Sequence, residues 1–290
     1  MKKQSKVLAN LYAQEMDMGG ITIRQPFPNQ KFQQLDPFLL LHHGKFQVAE
    51  HAIPAKTGVG PHPHRGFSPV TFLFSGGIHH RDSRGNNQTV YSGGTQWMNA
   101  GMGIIHSERP PLDIHEHGSE QELIQLWINS PAKHKMDQPS YYPLLAEDTP
   151  TFNLPDDKGK VRVVAGNVLG IQGSIPSLSP IQAAMMELKA GAKIEIGIDQ
   201  MDQALIYLLD GKINVEEYGL AEALHAVVFE IGGNSISFEA KEDTRLLFVS
   251  GRPLDEPVVS HGPFVMNNQT EILEAMRDYQ IGKMGVLIED

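Results

Sequence analysis

Short apolar runs, each closed by a turn former, constrain this chain more than any other feature. Pro69 to Phe74 runs into Ser75-Gly76-Gly77, and Glu122 to Ile128 ends at Asn129-Ser130-Pro131. Ala204 to Leu209 meets Asp210-Gly211, and Leu246 to Val249 meets Ser250-Gly251. Such runs are too short for globular helices, and their β-branched and aromatic residues suit a pleated surface. In a chain with 28 Gly and 19 Pro, their repetition predicts an all-β fold of the sandwich or barrel kind. The clearest exception is Thr270 to Tyr279. There Ile272, Leu273, Met276 and Tyr279 share one helical face behind the candidate caps Asn267 and Asn268, which predicts a short C-terminal helix.

A length of 290 residues fits one large domain or two ordinary ones. Two are expected, 1–145 and 146–290, joined through the Pro- and Asp-rich stretch from Pro139 to Lys160. The halves resemble each other. Ala55 to Ile78 lies without gaps on Ala190 to Ile213, which sets Gly76 on Gly211, and Gly93-Gly94 can be laid on Gly232-Gly233. An internal duplication of this kind predicts two stacked β-barrels of similar topology.

Composition removes several classes of function. Lys plus Arg is 24 and Asp plus Glu is 34, a net charge of −10, which gives no electrostatic reason to bind nucleic acid directly. There is no cysteine, hence no disulfide, thiolate metal site, iron–sulfur cluster or Cys nucleophile. The start, MKKQSKVLANLYAQ, is basic like a signal peptide, but its apolar stretch is broken by Asn10 and no small-residue cleavage site follows. No run approaches the ~20 apolar residues of a membrane span. A soluble, cytoplasmic protein without membrane contact is expected.

Any metal must therefore be held by nitrogen and oxygen, and histidine is abundant in one place. Of 13 histidines, ten fall between His42 and His117. The sharpest pattern is His62-Pro63-His64 followed by His106-Ser107-Glu108. On a strand, residues i and i+2 point to one face, so neighbouring H-x-H and H-x-E strands place three imidazoles and a carboxylate around one point. Such a set suits Fe, Mn, Ni, Cu or Zn and leaves coordination positions open for catalysis. Other histidines read differently: His115-Glu116-His117 as a solvated loop, His79-His80 as a hairpin end, His42-His43 as the wall of a pocket mouth. On the repeat alignment, the second-half partners of the four candidate ligands are Gly197, Asp199, Arg245 and Leu247, so a metal site is expected in the N-terminal barrel and none in the C-terminal one.

The chain also resembles a known family, the pirins of the cupin superfamily, along nearly its whole length. The marks are Asp36-Pro-Phe-Leu-Leu-Leu41, His62-Pro-His-Arg-Gly-Phe67, His80-Arg-Asp-Ser83, Gln96-Trp-Met98, Ala100-Gly101, Gly103-Ile104, His106-Ser-Glu108, Gln125-Leu-Trp127, Gly262-Pro-Phe-Val-Met-Asn267 and Asp278-Tyr279. The resemblance implies two tandem cupin barrels, a bicupin, with one divalent transition metal per chain in the first. Fe(II) is the usual metal, with Mn, Ni, Cu, Zn or Co as substitutes. The family's ligands fall on His62, His64, His106 and Glu108. Ser68 stands where the family commonly has Glu, so the carboxylate is left to Glu108, and His42 stands where it often has Asp.

Two functions follow from that resemblance. One is a quercetin 2,3-dioxygenase-like oxidoreductase, which cleaves a flavonol with O₂ and releases CO. Glu108 would then bind metal and also take the hydroxyl proton. Phe46, Arg65, Phe67, Trp97, Met98 and His42 are the candidate lining of a pocket for a small aromatic substrate. The other is a non-catalytic, iron- or redox-responsive regulator that binds another protein.

Overall fold

Alternation decides which segments become half-buried strands. In Lys193–Gly197, Ile194 and Ile196 are buried while Lys193 and Glu195 are exposed, the pattern of a strand with one wet face. Phe67–Ser75 does not alternate. Phe67, Val70, Phe72 and Leu73 are all fully buried, which covers both of its faces. The computed structural model describes residues 2–289.

The principal strands, in chain order, begin with β1 (Val7–Tyr12) and β2 (Phe38–Val48). Then come β3 (Val59–His64), β4 (Phe67–Ser75), β5 (Gly77–Asp82), β6 (Asn87–Tyr91), β7 (Thr95–Asn99) and β8 (Ile104–Arg109). A short helix, α1 (Leu112–His117), precedes β9 (Ser119–Asn129) and β10 (Ser140–Leu144). The second series is β11 (Ile181–Leu188), β12 (Lys193–Gly197), β13 (Gln203–Asp210) and β14 (Lys212–Val215). It continues with β15 (Gly219–Glu222), β16 (His225–Phe229), β17 (Ser235–Ala240) and β18 (Thr244–Gly251). β19 (Phe264–Met266) and the helix α2 (Gln269–Gln280) come last.

The two series repeat one topology. The first has neighbours β3-β8-β5-β6 in one sheet and β10-β7-β4-β9-β2 in another; the second has β12-β17-β14-β15 and β1-β16-β13-β18-β11. Gly76 and Gly211 turn between equivalent strands at positive φ, 74° and 78°, so that part of the repeat alignment holds. The second anchor does not. Gly94 precedes β7, whereas Gly233 follows β16, the counterpart of β7. The second repeat closes its hairpins with fewer residues, so Arg245 and Leu247 lie on β18, the counterpart of β9 rather than of β8. The true counterparts sit on β17. Phe238 pairs with Val215 just as Glu108 pairs with His80, and Ile236 stands two residues before it, as His106 stands before Glu108.

Contacts divide the chain into two compact units whose ends are exchanged. Residues up to His42 cluster with 148–253, and 43–147 cluster with 254 onward. The reasons are local. β1 pairs with β16, Leu11 opposite Ala226 and Tyr12 opposite His225, and so takes the edge position that β10 takes beside β7 in the other unit. At the other end, Ile272 and Ala275 of α2 pack with Phe264, Met266 and Met284, with Ile105 of β8 against them. The shared helical face predicts Leu273 and Tyr279 on the inward side of this helix. Both are exposed, because the buried stripe is centred on Ile272 and Ala275. Asn268 is the N-cap, its Oδ1 accepting from the Glu271 amide at 3.0 Å. The expected linker is structured at its start: Ser140–Leu144 pairs with β7.

Inside the second barrel the core is aliphatic and aromatic. Ile194, Ile196, Ile206, Leu208, Ile236, Phe238 and Phe248 belong to one continuous buried cluster. Ile196 pairs with Ile236 as His62 pairs with His106, so hydrocarbon stands where the first barrel has imidazole, and Gly197, the partner that the repeat alignment assigns to His62, is one residue out of register.

Candidate metal centre

The register of two strands brings the histidines together. β3 and β8 run antiparallel with His62 opposite His106 and His64 opposite Ile104. Residues at i and i+2 share a face, so His62, His64 and His106 converge from two strands onto one side of the sheet. Ring centroids are 4.3 Å apart for His62–His106, 4.8 Å for His62–His64 and 4.9 Å for His64–His106. One nitrogen from each ring lies within 4.8 Å of those of the other two.

The protonation of these rings favours a cation as a guest. Burial drives the pKa of His64 and His106 well below the usual histidine value, and the neighbouring His62 adds to the effect. Near His64 the Pro263 carbonyl works in the opposite direction. Neutral imidazoles offer lone pairs. His62 donates through Nδ1 to the Gly60 carbonyl at 2.8 Å, which leaves its Nε2 as an acceptor. Neither ring nitrogen of His64 makes a well-formed hydrogen bond, nor does Nε2 of His106, though all are buried. Buried polar atoms without partners are rare; a bound metal would satisfy one nitrogen of each ring, and the Pro263 carbonyl is the neighbour left for the other nitrogen of His64. The donor set therefore fits a transition metal of the imidazole-binding kind.

Glu108 lies outside the group of three. Its strand position is shifted by a bulge between His106 and Glu108. The buried carboxylate accepts from Gln96 Nε2 at 2.7 Å and Thr71 Oγ1 at 3.1 Å on Oε1, and from Gln125 Nε2 at 2.8 Å on Oε2. Strand pairing explains this set: Thr71 of β4 is opposite both Gln96 of β7 and Gln125 of β9.

The candidate pocket residues divide. Phe67 sets its ring edge against His64, centroids 5.1 Å apart. Met98 packs with Ala100, Ile104 and Tyr141. Trp97 turns to the other face of β7, where its indole N–H donates to Asn99 Oδ1 at 3.1 Å. Ser68 donates to the same oxygen at 2.7 Å, so the residue that departs from the family pattern faces away from the histidines. Arg65 is buried and committed: Nε donates to the Met102 carbonyl at 2.7 Å and Nη2 to Asp278 Oδ2 at 2.9 Å. Phe46 is half-buried on β2. His42 belongs to the other compact unit, where it donates to Gln25 Oε1 at 2.7 Å and burial lowers its pKa to about 4.

Other residues reach this site unforeseen. Trp127, not Trp97, stands beside the cluster, 5.4 Å from the His64 ring and 4.3 Å from Phe67. His80, expected at a hairpin end, is buried inside β5, because the hairpin begins only after Asp82. It stacks on Tyr141 at 3.9 Å and 6°, and its Nδ1 lies 3.4 Å from His106 Nδ1. The signal was the spacing His80-x-Asp82, the same i, i+2 period as His62-x-His64 and His106-x-Glu108. His115 is not in a solvated loop; it is buried on α1, and Thr57 lies within hydrogen-bond reach.

Two repeated β-barrels, one lined by histidines and one filled with hydrocarbon, define a bicupin. Family models agree: the Pirin model matches residues 20–128 and the Pirin C-terminal cupin domain matches 183–285. The chain belongs to the pirin family. It is 36 % identical to a Pseudomonas aeruginosa protein named "Putative quercetin 2,3-dioxygenase", covering 91 % of this chain and 92 % of that one. It is 34 % identical to the protein named Pirin from Homo sapiens, covering 98 % and 96 %. The crystal structure titled quercetin 2,3-dioxygenase from Acinetobacter baumannii superposes with a TM-score of 0.92 at 33 % identity, covering 98 % of this chain and all of that one (100 %). No helix among the described residues is long and apolar enough to cross a membrane.

Proposed function

We propose that this chain is a cytoplasmic, metal-dependent dioxygenase that cleaves the 2,3-bond of a flavonol such as quercetin and releases CO. His62, His64 and His106 would hold one divalent metal, Fe(II) first, with Glu108 as the fourth ligand. The observation that carries this reading is the convergence of three imidazoles whose buried nitrogens make no well-formed hydrogen bond, on a strand that also carries the buried Glu108. The likeness to the Pseudomonas and Acinetobacter proteins supplies the substrate class. A metal of this kind supplies a Lewis-acidic centre that also exchanges single electrons.

The chain's own residues do the rest. The Gly60 carbonyl orients His62. Thr71, Gln96 and Gln125 hold the Glu108 carboxylate in one orientation, from which an oxygen takes the proton of the flavonol 3-hydroxyl as general base. Loss of that proton makes the flavonol electron-rich, which is what O₂ attacks. Phe67 and Trp127 give an apolar wall next to His64 for a planar ring. The test is O₂ uptake and CO release by the iron-loaded protein with quercetin, aerobic against anaerobic. Full metal loading with no quercetin-dependent O₂ uptake would move the reading to the redox-responsive regulator, to be pursued by metal-dependent capture of a protein partner.

A further inference from the structure

His62 shows how a cupin histidine is aimed: its outward nitrogen, Nδ1, donates to a carbonyl, so Nε2 keeps the lone pair. His106 has no carbonyl behind it. Its Nδ1 faces Nδ1 of another histidine, His80, at 3.4 Å, and one of those two nitrogens must carry the proton. Asp82 decides which. Its Oδ1 accepts from the backbone amides of Arg84 at 2.8 Å and Asn86 at 3.1 Å, and its Oδ2 from Asn86 Nδ2 at 2.7 Å and His80 Nε2 at 3.0 Å. A carboxylate only accepts, so His80 donates through Nε2. The Nδ1 of a neutral His80 is then a lone pair, and it points at His106.

We propose that Asp82 and His80 form a positioning pair that fixes His106 as the Nδ1–H tautomer and thereby aims its Nε2 lone pair into the histidine cluster. This rests on the metal reading of that cluster. The reverse proton placement would leave an N–H on Nε2, a buried atom with no acceptor. Stacking on Tyr141, whose hydroxyl donates to Gln96 Oε1 at 3.0 Å, keeps the His80 ring from turning.

The test reads tautomers directly, by nitrogen NMR of the metal-free full chain with ¹⁵N-labelled histidine, and affinity separately, by titration with cobalt(II). The unaltered chain should show the proton on Nδ1 of His106 and on Nε2 of His80. In Asp82→Asn the two backbone amides keep the amide oxygen, so the new NH₂ meets His80 Nε2. His80 must then carry its proton on Nδ1, His106 must reverse, and cobalt affinity should fall about 10–100-fold. His80→Asn places an amide oxygen near the position of Nδ1, so it should keep the His106 tautomer and an affinity near that of the unaltered chain. A folded Asp82→Asn protein with His106 still protonated at Nδ1 and unchanged cobalt affinity overturns the proposal. Should Asp82→Asn unfold the turn, His80→Leu, which leaves the other Asp82 bonds intact, must shift the His106 tautomer; no shift overturns the proposal equally. A chain that binds no cobalt would defeat the metal reading, while the tautomer shift would still decide the role of the pair.

Discussion

Glu108 and the three histidines sit on one face but differ in what their neighbours leave free. The imidazoles have open nitrogens, whereas both carboxylate oxygens of Glu108 already accept from side chains. Glu108→Gln separates binding from chemistry. The amide can still offer an oxygen but cannot take a proton, and its NH₂ would face a donor such as Gln125. Metal content by elemental analysis should therefore stay close to that of the unaltered protein, while quercetin-dependent O₂ uptake should fall by about 100-fold or more. Full turnover in this variant would remove the base role. The histidines were legible because the i, i+2 period is local. Which of two tryptophans flanks them was not, since Trp97 and Trp127 both sit in apolar strands. Their faces are set by pairing with β4, where Val70 is opposite Trp97 and Pro69 opposite Trp127. Register across strands is long-range information that no window of sequence contains.

The same limit applies to whole elements. Periodicity announces α2, but a helical face is a stripe, and the apolar pattern alone centres it too far toward Leu273 and Tyr279. The buried centre is Ile272 and Ala275, both fully buried, while Leu273 is 58 % exposed. Ile272→Ala should cost about 2–4 kcal/mol in denaturant unfolding. Leu273→Ala should change stability by less than ~0.5 kcal/mol. Equal effects would mean the helix docks on another face.

Besides its apolar packing, α2 carries the Arg65–Asp278 ion pair, which sets a pH dependence. A hydrogen bond from Lys283 holds the Asp278 carboxyl below the ordinary carboxylate range; burial opposes this, and Arg65 supports it. A carboxyl whose folded pKa is depressed binds fewer protons folded than unfolded. Its contribution is thus complete above the unfolded value and is lost as pH falls through the folded one. Melting temperature should drop on acidification below the normal Asp range. Asp278→Asn should lower it near neutrality and flatten that acid limb. An unchanged acid limb in the variant would show that the Asp278 contacts with Lys283 and Arg65 together contribute nothing to it.

For the whole molecule, duplication was readable and the exchange of chain ends was not. Gly76 and Gly211, turning between equivalent strands, reveal the repeat, whereas Gly94 and Gly233 do not correspond. Nothing in Val7–Tyr12 tells that its partner is His225–Phe229, more than two hundred residues away. The ligand count follows the repeat: one metal per chain is expected by elemental analysis. The strand that should supply a second set carries Ile236 and Phe238 within a filled core. Loss of all metal on replacing both His62 and His64 with Ala is the matching control.

The exchange makes a sharper prediction about cutting the chain. Residues 1–145 include the histidine cluster, yet lack α2 and Met284, whose packing covers Ile105 of β8, the residue before His106. They also carry β1 without β16, an unpaired strand edge. Each lost large apolar contact removes roughly 1.5–3 kcal/mol, and Met284, Ile272 and Phe264 go together. That loss approaches the whole stability of an ordinary domain, roughly 5–15 kcal/mol. Residues 1–145 expressed alone should therefore be insoluble or unfold without a cooperative transition. Residues 38–147 joined by a flexible linker to 254–290 should regain cooperative melting and bind cobalt(II), because that fragment keeps β2 whole and restores β19 and α2. Cooperative melting of 1–145 by itself, with metal bound, would show that the exchanged ends are an addition to the first barrel rather than a part of it.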